Sequence, residues 1–167
     1  MEYKVNYDSP LGRMLLAADE EGLTGVWFEG QKYYARGLEQ NQEEHENKPL
    51  LADAKRWLDL YFSGKEPEFN LPLNPKGTEF QREVWEILRT IPYGKTMTYG
   101  EIATQIAEKR GIARMSAQAV GGAVGHNPIA IFIPCHRVVG ADGSLTGYAA
   151  GVERKAVLLR LEKGIRP

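Results

Sequence analysis

Residues 78–125, TEFQREVWEILRTIPYGKTMTYGEIATQIAEKRGIARMSAQAVGGAVG, contain three successive signals for the start of a helix. Thr78 stands three residues before Gln81, and Thr98 stands three residues before Glu101, which are the positions of a capping box. Ser116 is placed to cap a third helix. The second half of the chain is therefore predicted to be mostly helical.

The last two of these helices resemble a helix-turn-helix. The earlier one ends near Gly111, and the later one, from Ala117 to Gly125, contains residues so small that we expect another backbone close to it. These residues are Ala119, Gly121, Gly122 and Ala123. The turn at 109–115 is longer than is typical of the motif, and capped helix pairs also occur in proteins that never bind DNA. Spacing alone leaves DNA binding and a purely structural role equally open.

Upstream, the sequence predicts an antiparallel meander of three short strands, Tyr3–Tyr7, Met14–Ala18 and Leu23–Phe28. Residues 39–48 are too polar to pack, which is typical of an exposed loop or a frayed helix end. Pro49 is placed to begin a helix with an apolar face, made of Leu50, Ala54, Trp57, Leu58 and Tyr61. The expected fold class is therefore α/β (α+β).

Residues 65–77 contain three prolines and no helical period, which indicates a linker. A length of 167 residues permits one large domain or two small ones. We therefore expect an N-terminal domain over 1–75, with the linker from about 65, and a C-terminal domain over 76–167.

Composition argues against several classes of protein. No run approaches the roughly 18 apolar residues of a membrane span, and the N-terminal residues do not resemble a signal peptide. We therefore expect a cytoplasmic protein with no membrane partner. The single cysteine cannot form an intramolecular disulfide, and His45, His126 and His136 lack the spacing of zinc ligands. No metal is expected.

Charge is distributed unequally along the chain. Residues 1–75 contain 8 Lys and Arg against 14 Asp and Glu, a net −6, whereas residues 76–167 contain 13 against 8, a net +5. A basic second half favours a polyanion such as nucleic acid over a neutral small substrate. A solvated basic face explains the same numbers.

The only cysteine, Cys135, lies in Ile131–Gly140, IFIPCHRVVG. The apolar run Ile129–Ile133 predicts a buried strand or extended segment that places the thiol at its exit. A thiol must ionise to act as a nucleophile, so the adjacent His136 is the first candidate base. Neighbouring side chains on an extended chain point to opposite sides. The thiol and the imidazole therefore need a tight turn or a bridging water to exchange a proton. A buried structural cysteine is the alternative, and it is the commoner fate of a lone cysteine.

The chain resembles the O6-alkylguanine-DNA alkyltransferases, also called methylated-DNA–protein-cysteine methyltransferases. The stretch IPCHRVVG matches their active-site signature, and further motifs follow the family order over residues 78–164. These are Phe80–Trp85, Ile91–Lys95, Thr98–Ala103, Ala119–Ala123, Asn127–Pro128, Gly147–Tyr148 and the final helix with Glu162. The resemblance implies a ribonuclease-H-like first domain, and a second, mostly helical domain of winged-helix-like or helix-turn-helix type.

The resemblance also implies the chemistry. Cys135 would take an alkyl group from O6 of guanine in DNA, and from O4 of thymine, in one irreversible transfer that needs no cofactor. His136 would remove the thiol proton through a water, and Glu162 would fix the histidine tautomer. Asn127 would brace the loop, and Tyr99 would donate a hydrogen bond to the departing base.

The expected partner is double-stranded DNA containing O6-alkylguanine, bound by a monomer. The damaged base must leave the helical stack, because its O6 atom lies too deep for a buried thiol to reach. The resemblance assigns the contacts to DNA or to the base to Gln118, Tyr148, Val138, Ala149, Ala117, Gly121 and Arg137.

Two departures from the family pattern affect these expectations. Gln118 occupies a position that often carries an arginine, so we expect a lesion that is bound less tightly or a flipped base that is held less well. Ala149 and Ala150 stand where serine or glycine is frequent, so a hydroxyl contact to the base is lost. The cysteine and histidine ligands of zinc-binding members have no counterpart.

Two rival functions remain open. A lesion-sensing module that binds damaged DNA without reacting is disfavoured by the presence of Cys135. A cysteine hydrolase would regenerate its thiol, whereas an alkyltransferase gains the mass of one alkyl group and stops.

Overall fold

The N-terminal half is an antiparallel meander of β1 (Tyr3–Ser9), β2 (Gly12–Ala18) and β3 (Leu23–Phe28). A two-residue strand, β4 (Glu43–Glu44), adds to β1 in parallel, so the sheet order is β3-β2-β1-β4. The computed structural model describes residues 2–38, 43–44 and 48–164. The predicted polar loop at 39–48 lies mostly outside these residues, as does His45.

Helix α1 (Pro49–Phe62) begins at the predicted proline and packs against β1 and β2. Its buried side chains are Leu51, Ala54, Leu58 and Tyr61. The segment that follows contains no helix and lies along β3, where the Leu23 N–H donates to Pro72 O at 2.9 Å and the Asn74 N–H donates to Leu23 O at 2.7 Å. The linker is thereby attached to the edge of the sheet.

The C-terminal half is mostly helical, as predicted. It contains α2 (Glu79–Leu88), α3 (Tyr99–Arg110), α4 (Ala117–Gly125) and α5 (Val152–Glu162), with a short parallel pair of β5 (Met97–Thr98) and β6 (Val138–Val139). Both predicted capping boxes are formed in full, and the Ser116 side chain caps α4. These contacts lie within four residues, which is why the sequence alone predicts them.

Helix α4 is fixed on one side and exposed on the other. The Trp85 indole N–H on α2 donates to Ala123 O at 2.8 Å, and Val120, Ala123 and Val124 are buried. Gln118 lies on the exposed side. The helix therefore presents one face to solvent while its other face packs on α2 and α3.

The prediction of a strand or extended segment over Ile129–Ile133 is wrong. Ile129 pairs with Val26 on β3, but the chain then turns back, with Ile131 at a φ of 71° and the Ile133 N–H donating to Ile129 O at 3.0 Å. An apolar run indicates burial without distinguishing a strand from a buried turn. Cys135–Arg137 is consequently a short 3-10 turn and not a strand exit.

Candidate active site

The Cys135 thiol is buried at the first position of the 3-10 turn, with 6% of the residue exposed. Burial raises the pKa of this thiol to about 11, although a hydrogen bond to Asn127 and the nearby charge of Lys155 act in the opposite direction. The thiol is therefore protonated at neutral pH and needs a base before it can attack.

Asn127 pairs with the backbone of the turn that precedes Cys135. Its side-chain amide donates to Ile133 O at 2.7 Å, and its Oδ1 accepts from the Ile129 N–H at 2.9 Å. These two bonds satisfy backbone groups of a buried turn that would otherwise lose water without a replacement partner. The position of Cys135 therefore depends on a side chain that is itself buried.

His136 is fully buried and its Nε2 lies 2.6 Å from Glu162 Oε2. Burial lowers the pKa of His136, so the ring is neutral, and its Nε2–H donates to the carboxylate. The other ring nitrogen, Nδ1, has no hydrogen bond among the residues that the structure describes. In this tautomer Nδ1 is unprotonated, so it is the atom of the ring that can accept a proton.

The Glu162 carboxylate is saturated with donors. Oε2 accepts from His136 Nε2, from the Tyr61 hydroxyl at 2.6 Å and from Arg137 Nη2 at 3.1 Å. Oε1 accepts from Arg137 Nε at 2.8 Å and from the Gly94 N–H at 3.0 Å. Burial opposes ionisation of the carboxyl, but His136 and Arg137 outweigh it and lower the pKa of Glu162 to about 2. The group is a fixed anion.

The prediction that Arg137 contacts DNA or the base is corrected. Its guanidinium is buried, makes two hydrogen bonds to Glu162 and donates from Nη1 to Ile91 O at 2.7 Å. The 3-10 turn directs this side chain inward, so its charge compensates the carboxylate. The basic residue next to the cysteine is therefore part of the interior network.

Sequence reasoning misses two residues of the site. The sequence pattern identifies Tyr61 only as one more apolar residue of α1, because its partner Glu162 is 101 positions away. Lys155 is fully buried and donates from Nζ to Thr146 O at 2.8 Å, and burial lowers its pKa. A signal for Lys155 does exist, since it lies on the same face of α5 as the buried Leu158.

The hydroxyl of Tyr99 donates to Thr146 O at 3.1 Å, so this one carbonyl accepts hydrogen bonds from both Tyr99 and Lys155. Tyr148 is buried, and burial raises the pKa of its hydroxyl well above the ordinary value, so it stays protonated. Val138 is buried, and its N–H donates to Cys135 O. Tyr99 and Tyr148 therefore lie within electrostatic range of the thiol, which contributes to both their pKa shifts.

A cavity of about 180 Å³ lies between α4 and the loop that carries Tyr148. Its lining includes Gly121, Gly122, Gly147, Tyr148 and Ala149. A larger cavity of about 430 Å³ lies beside the C-terminal end of α4, and Cys135 is among the lining residues of neither cavity. The smaller cavity thus joins three predicted base-binding residues, Gly121, Tyr148 and Ala149.

Two glycines of α4 have little or nothing packed against them within the described part of the chain. A Cβ at Gly122 would meet no atom within 4 Å, and one at Gly121 would meet only the Tyr99 ring at 3.8 Å. At Gly121 and Gly122, the expectation of another backbone close to α4 is therefore not met within the described residues. His126 closes the helix, with its Nδ1 2.7 Å from Gly122 O and its ring stacked on Tyr33 at 4.2 Å.

Among the described residues, no group of three or more His, Cys, Asp or Glu side chains is arranged to hold a metal ion. None of the helices within residues 2–38, 43–44 and 48–164 combines the length and the apolar character of a membrane span. The chemistry that these residues offer at the site is that of a thiol, an imidazole, a carboxylate and a buried ammonium.

Two family models match the chain. The first, "6-O-methylguanine DNA methyltransferase, DNA binding domain", matches residues 79–164, and the second, "6-O-methylguanine DNA methyltransferase, ribonuclease-like domain", matches residues 3–75. A methylated-DNA–protein-cysteine methyltransferase of Methanosarcina acetivorans is 47% identical over 160 residues, which cover 96% of this chain and 97% of that protein.

Solved structures agree with these matches. The O6-methylguanine methyltransferase of Mycobacterium tuberculosis is 44% identical, with a TM-score of 0.84 over 100% of this chain and 96% of that one. A Mycobacterium tuberculosis relative solved in complex with DNA has a TM-score of 0.85 and 42% identity, over 99% of this chain and 95% of that one. The likeness extends over both halves of the chain.

Proposed function

Because the chain belongs to the 6-O-methylguanine DNA methyltransferase family, we propose that Cys135 is the methyl-accepting residue of its repair reaction. The protein binds DNA and repairs O6-methylguanine by transferring the methyl group to a cysteine of its own chain. The observation that carries the proposal is that Cys135 is the only cysteine in the sequence, is buried, and directly precedes His136, whose ring is paired with Glu162.

The transfer is a displacement at carbon. The Cys135 sulfur forms a bond to the methyl carbon, the bond from that carbon to O6 breaks, and the electron pair remains on the guanine. The hydroxyl of Tyr99 stabilises this charge by donating a hydrogen bond to the departing base in place of Thr146 O. Methyl donor and acceptor are both present, so the step needs no cofactor.

The proton of Cys135 goes to His136. The neutral tautomer with Nε2–H on Glu162 leaves Nδ1 as the acceptor, reached through a water, as the family resemblance implies. The ionised Glu162 then stabilises the imidazolium that forms, and Lys155 stabilises the thiolate. A carboxylate with a pKa of about 2 does not itself take the proton, so its contribution is orientation and charge.

The product is a thioether, which has no easy route back to a thiol, so each molecule reacts once. We include O4-methylthymine as a second substrate, because it presents the same carbon on an exocyclic oxygen. The reaction takes place on double-stranded DNA, in the cytoplasm, with the protein as a monomer. In this proposal residues 1–75 support the site and residues 76–167 bind DNA.

Base flipping follows from the burial of Cys135, since a thiol on a residue that is only 6% exposed cannot reach into an intact duplex. The exposed face of α4, with Ala117 and Gln118, offers a surface without bulky side chains that fits closely against DNA. Gln118 fills the gap left by the base, while Tyr148 and Ala149 close over it. Arg137 is excluded from this surface by its pairing with Glu162.

The test is intact-protein mass spectrometry after incubation with a duplex that contains one O6-methylguanine. The native chain is expected to gain the mass of one methyl group, and the Cys135→Ala variant none. Repeated addition of substrate should produce no further gain. A native chain that binds this duplex without any change in mass would instead indicate a lesion-sensing module.

A further inference from the structure

Tyr61 on α1 forms a hydrogen bond with Glu162 on α5. Its hydroxyl donates to Glu162 Oε2 at 2.6 Å, and its oxygen lies 3.4 Å from His136 Nε2. The residue is fully buried, and burial raises the pKa of its hydroxyl well above the ordinary value, so it remains a donor. Tyr61 therefore bonds the same carboxylate oxygen that receives the imidazole N–H.

We propose that Tyr61 is a positioning residue for the transfer reaction: its hydroxyl orients Glu162 and limits how strongly this carboxylate attracts the His136 proton. The inference rests on the proposed function, in which His136 is the base for Cys135. It assigns to the N-terminal half a direct part in setting the basicity of the site.

The ring and the hydroxyl of Tyr61 have separate roles. The ring stacks on Trp57 at 5.5 Å and meets Phe62, Tyr93 and His136 edge-on at 5.4, 6.2 and 6.5 Å. Phenylalanine would make these same ring contacts. The hydrogen bond to Glu162 is the part that a packing role does not require, so removal of the oxygen alone separates the two roles.

The chemical effect follows from the donors that share Glu162. A carboxylate oxygen that accepts from a hydroxyl, a guanidinium and an imidazole shares its charge among three partners. Without the hydroxyl, more of that charge acts on His136, which stabilises the imidazolium and raises the pKa of His136. Protonated His136 cannot accept the thiol proton, so the reaction should be lost at a higher pH than in the native protein.

Other titratable and charged groups face His136 and Glu162 from the elements packed against them. These groups stay unchanged when only the Tyr61 hydroxyl is removed. The titratable and charged groups concerned are Arg137 and Cys135 on the 3-10 turn, Tyr93 after α2, Tyr148 on the loop that lines the smaller cavity, and Lys155 on α5. A shift in the variant can therefore be attributed to the lost hydrogen bond.

Tyr93→Phe is a matched control. Its ring is a direct neighbour of Tyr61, and its buried hydroxyl has no hydrogen-bond partner among the described residues. Both variants remove one phenolic oxygen from the same aromatic cluster. Only Tyr61→Phe removes a donor from Glu162.

The experiment measures the rate of methyl gain by the native protein and both variants, from about pH 4.5 to 9, with saturating duplex containing one O6-methylguanine. Tyr61→Phe is expected to react about tenfold more slowly at neutral pH. Its acid limb should lie at a pH about one unit higher, the size expected for one hydrogen bond to a charged group. Tyr93→Phe should follow the native profile.

Three outcomes contradict the inference or its premise, and they are distinguishable. A Tyr61→Phe profile that coincides with that of Tyr93→Phe overturns the inference and leaves the proposed function intact. A lower rate with an unshifted acid limb assigns Tyr61 to structure alone, and the unfolding midpoint of each variant checks this. A native chain that gains no methyl group at any pH contradicts the proposed function itself.

Discussion

The surroundings of Glu162 and the outer face of α4 differ in how many neighbours each has within the protein. Around the carboxylate, five hydrogen bonds reach two oxygens, from Tyr61, Gly94, His136 and Arg137. On α4, a Cβ added at Gly122 or Gly125 would meet no atom within 4 Å. The carboxylate is fully paired within the protein, whereas the outer face of α4 has open space beside it.

This difference distinguishes residues needed for the folded protein from residues expected to serve a complex. In the interior, a residue is needed for the folded protein itself, so its loss should appear in stability as well as in reaction rate. On the outer face of α4, a residue is expected to serve the proposed complex with DNA, so its replacement can leave the isolated protein unharmed. The following predictions test that separation, from the largest expected effect to the smallest.

Arg137→Leu should break the interior network. It leaves the buried Glu162 carboxylate without its cation, which costs about 3–5 kcal/mol of the free energy of unfolding. Urea denaturation of the Cys135→Ala form measures this without interference from the thiol. Arg114→Leu is the matched control, because Arg114 is exposed and its loss should change stability by less than about 0.5 kcal/mol.

Arg137→Leu should also change how the free energy of unfolding depends on pH. The pKa of Glu162 is about 2 in the folded protein against an ordinary 4.5, so its contribution to stability is complete above 4.5 and is lost as pH falls toward 2. Arg137→Leu raises this pKa, so stability should fall less steeply over that interval than in the native chain. Equal slopes would mean that Arg137 does not compensate the carboxylate.

Gly122→Ala should reverse the usual relation between stability and function. Alanine is favoured over glycine inside a helix by about 0.5–1 kcal/mol, and no atom obstructs the added methyl group. The folded protein should become more stable while its affinity for methylated duplex decreases. Thermal unfolding and fluorescence anisotropy measure the two effects, and unchanged affinity would remove α4 from the DNA interface.

Gln118→Arg should have the smallest effect. An arginine adds one cation to the exposed end of α4, so binding should strengthen about threefold at low salt. The dependence of log affinity on log salt should steepen by about 0.9 if the new side chain meets one phosphate. An unaltered slope with tighter binding would place the guanidinium in the base stack and away from the backbone.

The sequence predicts the parts of this protein that depend on near neighbours. The capping boxes at Thr78 and Thr98, the break at Gly111 and the meander are confirmed, since each is determined within a few residues. The overall fold class and the family follow from motif order. The inward position of Arg137 could not be predicted, because the apolar run before Cys135 indicates burial without revealing the turn.

The same limit explains which site residues the sequence does not reveal. Tyr61 and Glu162 are separated by 101 positions, and no local pattern relates them. Lys155 lies on the buried face of a short helix. The apolar periodicity of that helix places a lysine among buried positions, and this is a signal that the sequence alone provides. The roles of Asn127, Tyr99 and Tyr148 in the reaction stay predictions.

The hydrogen bond from Tyr61 on α1 to Glu162 on α5 also bears on when the thiol becomes reactive during synthesis of the chain. A ribosome delivers the chain from its N-terminus, so Tyr61 and then Cys135 emerge before Glu162, which lies at the end of α5. Until that helix docks, His136 lacks the carboxylate that fixes its tautomer. We expect the nascent chain to carry an ordinary cysteine, whose reactivity toward alkylated DNA begins only when the first and last helices meet.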